Sequence, residues 1–208
     1  MKAIPSLVCL LALVAWNTAP NDGDFKLVKQ DKIISLYERW IPGPGEDQIR
    51  EVKAVFEVKA DMEAAITLLT DQAKGQEWNA NAKQYKVIVT GARSQWITYT
   101  RYNIPWPFGD QDCCLQHQVY KTTGSQRSGT IQFESIAHTQ FPVTGSVTRI
   151  QGTRGKWYFE ELPGNKMRVS YIISTNRSKK VPRWVADPIV RNNLFSSMTS
   201  FRTMLEKP

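Results

Sequence analysis

Residues 181–207 read VPRWVADPIVRNNLFSSMTSFRTMLEK, and the fold turns on how this stretch is read. Pro182 suits a first helical turn, where its missing N–H removes no helical bond. Val190, Leu194, Met198, Phe201 and Leu205 then recur at helical spacing. Trp184, Val185, Ile189 and Phe195 widen that apolar stripe beyond what one surface contact needs. The pattern predicts one long helix, adjusted at Pro188 and apolar over enough of its girth to be nearly enclosed.

The chain before it supplies the enclosure. Residues 52–60 alternate Val52, Ala54, Phe56 and Val58 against Lys53, Val55, Glu57 and Lys59, close to the period of a half-buried strand. Strands are expected at 25–28 and 33–40 before it, ended by Pro42-Gly43-Pro44-Gly45. After it they are expected at 85–89, 95–103, 113–121, 130–139, 146–151, 156–162 and 166–174. Their breakers are Gly91, Pro105-Trp106-Pro107, residues 124–129, Pro142 with Gly145, residues 152–155 and Pro163-Gly164-Asn165. One helical interruption is expected, capped by Asp61, running through Ala65, Leu68 and Leu69 and continued by a second turn that includes Trp78. Many antiparallel strands and one gripped terminal helix give an α+β fold in which a curved sheet wraps the helix. The space between such a sheet and its helix is a usual place for a small molecule.

A chain of 208 residues is one domain long, so these elements belong to one fold. The net charge of +8 is spread along the chain, which suits transient contact with an anionic membrane surface or a merely solvated basic face. Dispersed charge without a recognition module argues against nucleic acid. The opening MKAIPSLVCLLALVAWNTAP sets one lysine before a short apolar run at 7–16 and a small residue, Ala19, after it. That is the layout of a secretory leader, so residues 1–19 read as a signal peptide and 20–208 as the mature domain. Export to a periplasm or the extracellular space is expected; an uncleaved leader would instead tether the domain to a membrane. Without the leader only Cys113 and Cys114 remain, neighbours pointing to opposite faces of a strand, so no disulfide is expected.

Three segments carry a family likeness. Trp106-Pro107-Phe108-Gly109-Asp110-Gln111-Asp112 resembles the loop of the START lipid-transfer family, in which Trp-Pro is followed by variable residues and Arg-Asp. Arg149-Ile150-Gln151 through Gly155-Lys156-Trp157, with the strand at 166–173, is similar to that family's strand, Gly-aromatic turn and next strand. Val181-Pro182-Arg183-Trp184-Val185 resembles the start of its terminal helix. The likeness runs in order from about Phe25 to the end, with Gln111 in place of the usual Arg and residues 177–180 in place of a Gly-Gly pair. It implies a helix-grip fold with a tunnel for one lipid, a mobile loop at 105–112 and a lid formed partly by the C-terminal helix. It also implies binding or transfer in place of catalysis.

The residues expected to line the tunnel follow from a hairpin of 95–103 with 113–121. Paired in register across the loop, it sets Thr98 opposite His117, Thr100 opposite Leu115 and Trp96 opposite Val119, with Cys113 on the same inward face. Tyr102 continues that face. His117 then reads either as a hydrogen-bonding partner for a ligand head group or as a structural histidine satisfied by Thr98 or water. Arg149 reads as an anchor for an acidic group or as half of a surface ion pair. Val185 and Ile189 are expected to close the tunnel from the helix, and Trp106 and Phe108 either enter a membrane interface or pack over the mouth. Cys113 and His117 lie about 13 Å apart along a strand, too far for a dyad. With two histidines and no clustered cysteines, no metal or other cofactor is expected. A cyclase or hydratase on the same scaffold is the alternative, and would have to use His117 with Tyr99, Tyr102 or Glu134.

Overall fold

The computed structural model describes residues 23–43, 47–90, 94–104, 109–122, 128–145, 147–176 and 183–207. The leader, Trp106 and Phe108, most of the turn at 124–129 and residues 177–182 lie outside the described residues.

The strands are β1 (Lys26–Gln30), β2 (Ile34–Pro42), β3 (Gln48–Val58), β4 (Ala82–Val89), β5 (Gln95–Tyr102), β6 (Gln111–Thr122), β7 (Ser128–Ser135), β8 (Thr148–Arg149), β9 (Arg154–Leu162) and β10 (Lys166–Ser174). Two helices, α1 (Met62–Thr70) and α2 (Gln72–Trp78), join β3 to β4, and α3 (Arg183–Leu205) ends the chain. The sheet runs β1-β2-β3-β10-β9-β7-β6-β5-β4, with β8 beside β6. Two meanders are thus joined where β10 returns to β3, and β1 and β4 are left as edges. The expected α+β helix-grip architecture, a curved antiparallel sheet around a C-terminal helix, is what the chain adopts.

Local chemistry sets the helix starts. The Asp61 carboxylate accepts from Ala64 N–H at 2.8 Å, and Asp71 does the same for α2 from Ala73 and Lys74. A cap of this kind contributes about 1 kcal/mol. The C-terminal half of α3 is gripped as expected. Phe201 is fully buried, its ring 5.1 Å from that of Trp78 and 4.8 Å from that of Trp157.

Four expectations need correction. The N-terminal half of α3 is not enclosed, since Trp184 is 80% exposed and Ile189 and Val190 also face outward. Its attachment is polar instead: Arg50 meets Asp187 at 3.4 Å and Glu38 at 3.3 Å, Arg191 meets Glu38 at 3.1 Å, and Arg183 lies 4.4 Å over the Trp40 ring. Periodicity reports an apolar stripe but not how much of it the sheet is wide enough to cover.

The expected strand at 130–139 stops at Ser135, and that at 146–151 shrinks to the two residues of β8, which run parallel to β6. Between them the chain leaves the sheet and crosses its convex side. Ile136 N–H donates to Cys114 O at 2.9 Å, Thr148 N–H to Asp110 O at 3.0 Å and Ile150 N–H to Asp112 O at 2.8 Å. Pro142 has no N–H for a ladder, so a continuous strand is excluded there.

Residues 152–155 are not all a turn, because β9 begins at Arg154 and contains Gly155. A Cβ at 155 would stand 2.1 Å from Ile172 O and 2.5 Å from Phe133 Cζ, so only glycine admits this close approach.

The hairpin pairs Trp96 with His117, Thr98 with Leu115 and Thr100 with Cys113, two residues away from the expected register. Strand β6 starts earlier, at Gln111, where Arg101 holds Asp110 at 2.7 Å across the hairpin. A shift of two keeps every side chain on its expected face.

Candidate functional site

Strands β5 and β6 bring Trp96, Thr98 and His117 together on the concave face. Thr98 Oγ1 lies 2.9 Å from His117 Nε2, and the Trp96 indole stacks on the imidazole with centroids 5.0 Å apart and planes 6° from parallel. Leu115 and Val119 are half-buried against the same core, and Thr100 is buried beside Cys113. Tyr102 sits further along β5, its oxygen 3.5 Å from the Asn79 side-chain amide that donates to it. Burial raises its phenol to about 12.

From His117 an unbroken line of rings crosses the sheet. Phe133 follows at 5.6 Å, Tyr171 at a further 5.6 Å, Trp157 at 4.3 Å and Phe201 of α3 at 4.8 Å. Phe133 on β7 reaches Tyr171 on β10 because β9, between them, presents Gly155 and no side chain. Sequence reasoning found Trp96 and His117 by strand alternation. It missed Phe133, Tyr171 and Trp157 as parts of the site, since a strand aromatic reads equally as plain core.

Three buried nitrogens on this side, Trp78 Nε1, Trp96 Nε1 and His117 Nδ1, have no hydrogen-bond partner among the described residues. Buried polar groups are nearly always satisfied, so three orphans along one aromatic wall require an explanation. Burial also pushes the His117 imidazole down to about 3, so it is uncharged near neutrality. Its proton affinity returns to the ordinary 6.5 on unfolding. Between these values the unfolded chain binds the extra proton, so the stability due to neutral His117 is complete above pH 6.5 and declines as pH falls toward 3. Urea unfolding from pH 7 to pH 4 should show a loss of about 1 kcal/mol per pH unit that His117→Gln removes. Equal slopes for both proteins would refute this assignment.

The remaining candidates lie elsewhere. Arg149 is on the convex side, bidentate to Asp112 at 2.6 and 3.0 Å, and also donates to Phe141 O at 2.9 Å. Its partner is a buried carboxylate, not one on the surface. Tyr99 O–H donates to the same Asp112 at 3.1 Å, and its ring stacks on Phe141. Val185 is half-buried and Ile189 exposed, both in the N-terminal half of α3 that Arg50 holds through Asp187. Glu134 is exposed and, next to Phe133 on β7, points to the opposite face from it. Among the described residues, no group of three or more His, Cys, Asp or Glu is placed to hold a metal ion.

No protein-family model matches the chain. It is 24% identical over 202 residues to an uncharacterised protein of Pseudomonas aeruginosa, covering 95% of this chain and 96% of that one. Among solved structures, the STAR-related lipid transfer protein of Xanthomonas axonopodis matches with a TM-score of 0.74 at 18% identity, over 88% of this chain and 99% of that one. Human StAR-related lipid transfer protein 5 gives 0.72 at 12% identity, over 89% and 88%. The chain has the START helix-grip fold. An aromatase/cyclase of Streptomyces sp. R1128 is similar more loosely, with a TM-score of 0.52 at 12% identity over 76% and 94%. Within the START-like fold of this chain, the face gripping α3 carries Trp96, Thr98, His117 and the aromatic line, and the opposite face carries the Arg149–Asp112 pair.

Proposed function

We propose that the protein is a non-catalytic carrier that holds one lipid or other apolar small molecule between the concave face of the sheet and α3. The observation that carries this reading is the set of orphaned nitrogens on the concave side, which a bound guest would satisfy. Likeness to lipid-transfer proteins in fold supports it. Organic extraction of the purified protein, followed by mass spectrometry, should recover an apolar compound at close to one per chain. Recovering none, together with failure to load any apolar probe, would sink the carrier reading.

Catalysis of the cyclase or hydratase kind has less support. A general base works best with a proton affinity near the operating pH, whereas His117 is held near 3. Tyr99 and Glu134 do not share its face.

The carrier reading extends to place and partner. The leader at 1–19 directs the chain out of the cell, and the surplus of positive charge favours brief contact with anionic membranes over nucleic acid. Sequencing the N-terminus of the secreted protein tests the first point: an intact Met1 in the cytosol would exclude export.

A further inference from the structure

We infer that the guest is a neutral molecule that presents an acceptor oxygen, a ketone-like or quinone-like carbonyl, to Trp96 and His117. This rests on the carrier reading and narrows it to a chemical class.

The class follows from which atoms are orphaned. The indole N–H of Trp96 can only donate. The hydroxyl of Thr98 has, among the described residues, one partner that can take its hydrogen, His117 Nε2 at 2.9 Å. Donation along that bond satisfies the hydroxyl and assigns the ring proton to Nδ1, the nitrogen without a partner. Two stacked rings therefore each hold an unmet donor, with Trp96 1% and His117 5% exposed. A carbonyl oxygen has two lone pairs and can answer both.

Charge is excluded by the surroundings. Beside Trp96 and His117 lie Thr98, Phe133 and, paired with Thr98, Leu115, none of them ionisable, and His117 itself is uncharged at neutral pH. Among the ionic residues of these strands whose side chains are described, Arg101, Asp112 and Glu134 alternate to the other face. A buried carboxylate or phosphate here would lack a counter-charge, and an ammonium would meet donors only.

Equilibrium dialysis of the delipidated protein against 9-fluorenone, fluorene and fluorene-9-carboxylate isolates the oxygen and the charge on one skeleton. The ketone should bind about tenfold more tightly than the hydrocarbon, the factor expected of one well-made hydrogen bond, and the carboxylate most weakly. Trp96→Phe keeps a ring and removes a donor, so it should shrink the ketone's advantage severalfold while fluorene binding holds within about twofold. Thr98→Val, which frees the His117 proton to move to Nε2, should shrink it too. Equal binding of ketone and hydrocarbon, or tightest binding of the carboxylate, would overturn the inference and leave the carrier reading standing. A natural lipid extracted from a protein that takes up none of the three would do the same. No uptake and no extracted compound would overturn both.

Discussion

Phe201→Ala should destabilise the protein by about 3–5 kcal/mol, a large part of the stability of a domain this size. The ring has no exposed surface and meets Trp78 and Trp157 edge-on and tilted, so truncation opens a cavity between α2, β9 and α3 that rigid strands cannot close. Ile189→Ala, on the outward half of the same helix, should change stability by less than about 0.5 kcal/mol. Urea unfolding of the two variants measures the difference directly. Similar losses would mean that the helix is held evenly along its length, contrary to the contacts described.

Arg149→Met should cost a similar 3–5 kcal/mol, for an electrostatic reason. Asp112 and Arg149 are both buried, with side chains 4% and 8% exposed, so removing the guanidinium strands a carboxylate with Tyr99 as its remaining side-chain partner. The effect reaches further than stability. Arg149 also fastens the segment crossing the convex side through Phe141 O, and that segment is bonded to the buried Cys114 through Ile136 N–H and Cys114 O. The variant should therefore label at Cys114 with a thiol reagent many times faster than the native protein, in which burial raises both thiols and holds them protonated. Replacing both partners, Arg149→Met with Asp112→Leu, should recover much of the lost stability. A double variant no better than the single one would show that the segment's backbone hydrogen bonds depend on the charges themselves.

The features legible in the sequence were those with a period or a cap. Strand β10 and the Asp61 cap were read to the residue, and α3 to within a residue or two, because alternation, helical spacing and capping chemistry are local. Face assignments on β5 and β6 survived the register error because both registers have the same parity. The observed register lets Arg101 reach Asp110, a contact no spacing rule reports. The crossing segment at 136–150 was invisible for the same reason: it is held by ladders to Asp110, Asp112 and Cys114, distant in sequence. Gly155 was read as a turn glycine because a glycine that makes room for Phe133 leaves no different mark. At the site, Trp96 and His117 were found and the rest of the wall was not, since an aromatic facing a guest and one facing core obey one alternation.

An open sheet has two ends, and here each carries lysine. Strand β1 bears Lys26 and Lys29, and β4 bears Lys83 and Lys86. A second molecule offering either edge would bring ammonium groups against one another along the new ladder, on a chain already at +8. Edge-to-edge growth into larger assemblies is therefore disfavoured at both rims of the sheet.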